Sequence, residues 1–118
     1  MGYVDGFVVP VPKRNVAAYR RMAKLGGKVW REHGALDYKE CQGDDLAVPW
    51  AMPFPKALKL KRGDTVFFSF IVYKSKAHRD RVNAKVMKDP RLMKLVNRPM
   101  PFDVRRMLSG GFKVVVQG

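Results

Sequence analysis

The amino-acid sequence predicts an α+β domain in which four strands and two helices follow one another as βαββαβ. Three observations carry that expectation. Four short runs rich in β-branched and aromatic residues are separated by stretches whose apolar residues recur at helical spacing. Proline, glycine and asparagine punctuate the joints between them. The third strand-like run is apolar on both of its faces. Such an order folds as an antiparallel, four-stranded, ferredoxin-like sheet with two helices on one face. Right-handed crossovers then place strands one and three at its centre.

Residues 3–11, YVDGFVVPV, form the first predicted strand, closed by Pro10 and Pro12, which cannot donate to a sheet ladder. Asn15 is placed as the N-cap of a helix running to about His33. Val16, Tyr19, Met22, Ala23, Gly26, Val29 and Trp30 make its apolar stripe; Arg20, Lys24, Lys28 and Arg31 make its basic face. Gly26 and Gly27 each cost about 1 kcal/mol against alanine in a helix interior. A close approach of this helix to the sheet offsets that cost, or else the glycines mark a kink. Gly34 supplies the left-handed stop. Residues 35–42, ALDYKECQ, alternate as a half-exposed strand with Leu36, Tyr38, Glu40 and Gln42 on one face, and Gly43-Asp44-Asp45 turns the chain.

The stretch 46–63 holds Pro49, Pro53 and Pro55, with Pro55 opening a short helix through Leu60. Residues 65–73, TVFFSFIVY, are the clearest strand. Ser75 caps a second helix to about Lys88, with Val82, Val86 and Met87 inward. Asp89-Pro90 ends it or bends it into an extra turn through Leu95. The loop RPMPFDVRRMLSGG leads to a last strand, FKVVV, at 112–116.

A chain of 118 residues, 47% hydrophobic, fits a single packed domain spanning 1–118. No apolar run approaches the ~20 residues of a membrane span, and no basic leader precedes the first strand. With one cysteine, Cys41, there is no internal disulfide framework. The expected location is cytoplasmic, with no membrane partner. The formal net charge of +14 attracts polyanions in a salt-dependent way.

The third strand also predicts the assembly. Val66, Phe68, Phe70 and Val72 point one way, and Phe67, Ser69, Ile71 and Tyr73 the other. Two helices cover one side only. Burying a phenylalanine is worth about 1.5–3 kcal/mol, so a second copy packing its own bare face by two-fold symmetry is expected. A 46–63 loop folded across the sheet is the alternative.

Several segments resemble the YbaA-like family of unknown function, domain of unknown function family 1428. They are YVDGFVVPVP, EHGALDYKECQGDD, TVFFSFIVYKSKAHRDRVNAKVMKDPR and RPMPFDVRRMLSGGF, and together they cover nearly the whole chain. The resemblance implies membership of the dimeric α+β barrel superfamily, which includes cofactor-independent monooxygenases, haem-degrading oxygenases and muconolactone isomerases. It implies the dimer that the two-faced strand predicts, and no assigned activity.

In strand one, Val4, Gly6 and Val8 are expected to face the helices, Gly6 permitting close packing. Tyr3, Asp5, Phe7 and Val9 then face the space between two sheets. A buried Asp5 could act as a general base, or it could be bound structurally to Arg105 or Arg106. Arg79, Asp80 and Asn83 share a helix face; they either orient a polar substrate group or tie the second helix to the MPFD loop. Phe102, Asp103 and Arg106 belong to a proline-fixed loop that is either a clasp or a pocket rim. Trp50, Met52 and Phe54 either gate an apolar pocket or anchor their loop. Glu40 and Cys41, adjacent on a strand, cannot line one pocket, and Cys41 has no histidine placed beside it.

Two scattered histidines supply no metal spacing, and no glycine-rich phosphate loop occurs; neither metal nor cofactor is expected. The expected function is a homodimer binding a small, mostly apolar organic molecule. The enzymatic alternative, by the resemblance, is a cofactor-free oxygenase or isomerase with Asp5 as base and Arg106 polarising an oxygen. Candidate substrate-binding residues are Tyr3, Phe7, Arg79, Asn83, Phe102 and Asp103. Nucleic acid is a competing partner, disfavoured because most aromatics sit in strands rather than among the basic residues.

Overall fold

Runs of valine, phenylalanine and tyrosine crowd a helix but fit a pleat. In the computed structural model, which describes residues 2–118, they form β1 (Tyr3–Pro12), β2 (Asp37–Gln42) and β3 (Asp64–Tyr73), joined by β4 (Leu108–Lys113). The helices are α1 (Val16–Glu32), the short α2 (Phe54–Ala57), α3 (Lys76–Val86) and α4 (Pro90–Val96). The sheet order is β2-β3-β1-β4 and every pairing is antiparallel. Strands one and three are central, as expected. The fold is the predicted ferredoxin-like α+β arrangement.

Helix ends follow local chemistry. The Ser75 hydroxyl accepts from the His78 N–H at 3.1 Å, capping α3. Asp89 caps α4 by accepting from the Arg91 N–H at 2.9 Å, and Pro90 occupies its first turn. Gly34 stops α1 with φ of 115°. Asn15 holds the N-cap position of α1 but its side chain makes no capping bond: a 3-10 turn, Lys13–Asn15, precedes the helix, and the Asn15 amide instead donates to the Pro101 carbonyl at 3.0 Å. The mid-helix glycines face the sheet. A Cβ on Gly27 would lie 2.9 Å from Tyr38 Cδ1, so the close approach, not a kink, accounts for it.

Two strand assignments differ from the sequence expectation. Tyr3, Asp5 and Val9 are buried on the helix side of β1, while Val4, Gly6 and Val8 lie on the bare side. The larger residues are needed beneath the helices, where they fill two core clusters with Tyr73, Val82, Val29, Tyr19 and Phe67. Gly6 instead makes room for the Phe112 ring. The last strand starts earlier than expected, at Leu108 rather than at residue 112. Gly110 and Gly111 are strand residues paired with Gly6 and Asp5, because the Tyr3 ring lies where a Cβ at Gly111 would be. Beyond Lys113, among the described residues, the ladder continues with a bond from the Val114 N–H to the Gly2 carbonyl.

The bare sheet face is apolar. Phe68 is 49% exposed, Leu108 56% and Phe112 62%. Leu46 of the connecting loop reaches Gly43 and Val66 and covers one corner. The rest of that loop does not close over the sheet: Trp50, Met52 and Phe54 remain exposed. Met87, expected inward, is partly exposed at the end of α3, yet it lines the space between the helices and the sheet.

Candidate functional site

Between the helix face of the sheet and α1, α3 and the 97–107 loop lies a cavity of about 450 Å³. Its lining is mostly apolar: Phe7, Met22, Trp30, Ile71, Phe102 and Met107. Three polar groupings interrupt it, each placed by a different pair of elements.

The first is an ion pair from β1 to α3. Asp5, buried on the helix side, accepts from Arg79 Nη1 at 2.8 Å. The same guanidinium donates to Asp80 at 2.9 Å and to the Tyr3 hydroxyl at 3.4 Å, and lies 4.9 Å from the Tyr3 ring centroid. Asp5 therefore does not face a second sheet, and its partner is Arg79 rather than Arg105 or Arg106. The second grouping is Asn83, whose Oδ1 accepts from Trp30 Nε1 at 3.0 Å and from the Tyr73 hydroxyl at 3.2 Å. Arg79 and Asn83 thus tie α3 to β1, β3 and α1, not to the MPFD loop.

The third was not anticipated. Glu40 projects from β2 onto the helix face opposite Ser69 of β3. Its two carboxylate oxygens accept from the Tyr19 hydroxyl at 2.8 Å and the Tyr38 hydroxyl at 2.9 Å. Desolvation raises the Glu40 pKa above the usual carboxylate range, against the lowering effect of the phenol bonds. Burial, followed by the charge of Glu40, pushes both phenols upward in turn. The arrangement is a carboxylate that can hold or release a proton in the cavity wall. Tyr38-x-Glu40 on one strand face was visible in the sequence; that Tyr19 joins them from α1 was not.

Asp5, Phe7, Arg79, Asn83 and Phe102 line the cavity together, with Tyr3 packed behind Arg79. Arg106 and Asp103 do not. Arg106 donates to Asp64 at 3.0 Å. Asp64 pairs with Pro12, whereas Asp5 pairs with Ile71, a separation of about 23 Å at the usual strand rise. Asp103 accepts from the Arg105 backbone N–H at 3.0 Å and caps the Val104–Arg106 turn. These residues make a clasp, while Phe102 and Met107 supply the rim. Cys41 is exposed. Among the described residues, no three histidine, cysteine or acidic side chains converge as a metal site requires, and no helix is long and apolar enough to cross a membrane.

A second concavity, about 1020 Å³, runs along the outside of α1 beside β2. Tyr19, Tyr38 and Glu40 border both spaces.

Residues 2–104 match the family described as protein of unknown function (DUF1428). The uncharacterized protein YbaA of Escherichia coli K12 is 44% identical over 116 residues, covering 98% of each chain, and its Shigella flexneri counterpart matches equally. Among solved structures, Rv0793 from Mycobacterium tuberculosis superposes with a TM-score of 0.62 at 11% identity, over 99% of this chain and 98% of that one. A dimeric ferredoxin-like protein from an uncultured marine organism gives 0.57 at 13% identity, over 100% of both chains. At those identities the likeness is one of fold.

Proposed function

The chain belongs to the DUF1428 family, and on that footing we propose that it is a homodimer binding a small, mostly apolar organic molecule between its sheet and its helices. The observation that carries this reading is the 450 Å³ space itself, walled by aromatic and sulfur-containing side chains with a few fixed polar groups. Its size and lining suit a small ligand. The dimer is supported by the uncovered Phe68, Leu108 and Phe112 on the opposite face. The marine relative of like fold is itself described as dimeric.

A thermal-shift series with small aromatic compounds tests ligand binding, since a ligand selective for the native state raises its stability by mass action. Met22→Trp fills the cavity from α1. The expected result is a concentration-dependent rise in Tm for the parent protein and none for the variant. Equal shifts in both would place binding elsewhere and refute the proposal.

A second reading, that the cavity carries acid–base chemistry, rests on Glu40. It is the carboxylate of the cavity that no cation neutralises, whereas Asp5 is held by Arg79 and serves a structural role. Enzymatic proton transfer of the isomerase or cofactor-free oxygenase kind would use Glu40 as the base, not Asp5 or Arg106. Glu40→Gln would remove any such turnover while Asp5→Asn at matched folding would not; the opposite order would refute this assignment.

A further inference from the structure

The charge of +14 is not spread evenly in its effect. Ion pairs among the described residues draw on His33, Lys39, Arg79, Arg91, Arg105 and Arg106, and none draws on a cation of α1. The unpaired α1 cations are not splayed over a convex surface either. Arg20, Arg21, Lys24, Lys28 and Arg31 all border the 1020 Å³ groove between α1 and β2. Arg20, Lys24, Lys28 and Arg31 follow one another at spacings of four, four and three residues, so at the helical rise they form a row about 16 Å long. The groove contains one acid, Glu40, whose oxygens are already taken up by two phenols.

Like charges gathered around a concavity focus their potential into it. They also repel one another, so an anion seated there relieves a cost that the unliganded fold carries. The chemistry of the row selects the anion. Guanidinium groups match the oxygens of phosphate with two parallel hydrogen bonds, and lysine ammonium groups add point charge. The Tyr38 ring, packed against Gly27, offers an aromatic edge beside the row.

We propose that the groove between α1 and β2 is a phosphate-binding site, occupied by a phosphorylated metabolite or by single-stranded nucleic acid. This site is distinct from the apolar cavity and stands whether or not the cavity binds a ligand.

The test uses the full chain, with tripolyphosphate in calorimetry and a short fluorescent single-stranded oligonucleotide in anisotropy. Arg20→Glu with Lys24→Glu reverses two charges in the groove. Lys85→Glu with Lys88→Glu makes the same change of net charge on exposed residues outside it. The groove pair is expected to weaken binding about tenfold or more at about 50 mM salt, and the control pair by less than about threefold. Comparable affinity for the two probes points to a phosphorylated metabolite; affinity rising with oligonucleotide length points to nucleic acid. Should the reversed pair fail to fold, Arg20→Gln with Lys24→Gln decides by the same comparison. Equal weakening by groove and control variants would reduce the effect to net charge and overturn the site. So would the absence of saturable binding to either probe.

Discussion

Truncating Phe112 to alanine should largely dissolve the proposed dimer while leaving the protomer folded. The ring sits on the bare side of β4, 62% exposed in the single chain. A phenylalanine side chain presents about 200 Å², so about 120 Å² of it awaits cover, worth about 3 kcal/mol at about 25 cal/mol per Å². Alanine retains the Cβ, which leaves a loss of about 2 kcal/mol per protomer. In a two-fold interface the substitution occurs twice, so the dimer loses about 4 kcal/mol, roughly a thousandfold in Kd. Sedimentation velocity over a dilution series reads this directly: the parent protein should sediment as a dimer and Phe112→Ala as a protomer at the same concentrations. Because each protomer carries +14, added salt should tighten the parent dimer by screening self-repulsion. A parent chain that sediments as a protomer throughout would refute the reasoning, and so would a variant that dimerises as tightly as the parent.

Three other outcomes follow from the interior. Arg79→Met orphans the buried Asp5 carboxylate and should cost about 3 kcal/mol in urea unfolding, most of it recovered when Asp5→Leu is added. Gly27→Ala should destabilise by about 1–2 kcal/mol in the same assay, because the collision with the Tyr38 ring outweighs the helix propensity that alanine adds. Glu40→Gln should change the pH dependence of Tm. The raised native pKa of Glu40 means that the native state holds its proton more tightly than the unfolded chain does. That contribution is complete below the unfolded value near pH 4.3 and is lost as pH rises through the native pKa. The variant lacks it, so its Tm relative to the parent should improve as pH rises above about 4; a constant difference would contradict the shift.

What could be read from the chain depended on how local the cause was. The third strand declared itself because nearly every position from Val66 to Tyr73 is β-branched or aromatic on both faces, a pattern that needs no distant residue to be recognised. Ser75 and Gly34 declared helix ends through backbone chemistry confined to a few residues. The faces of β1 could not be assigned the same way. Val4, Gly6 and Val8 are no more polar than Tyr3, Phe7 and Val9, and what settles Asp5 on the helix side is a guanidinium 74 residues along the chain. Gly110-Gly111 read as the end of a loop, since the reason for a glycine at 111 in β4 is the Tyr3 ring of another strand. The candidate site was half legible for the same reason. Arg79 and Asn83 stood out as a helical pair, and Phe7 and Phe102 as apolar lining, and all four reach the cavity. Arg106 was drawn away by Asp64, 42 residues earlier, and Glu40 lacked meaning until α1 brought Tyr19 to it.

Tyr19, Tyr38 and Glu40 are a partition one side chain thick between a greasy chamber and a cationic trough. Whatever draws a phenol toward itself from the trough takes a hydrogen bond away from the carboxylate as seen from the chamber, and the reverse holds equally. An occupant of either compartment that took one of those phenol bonds would change the proton affinity of Glu40 in the other.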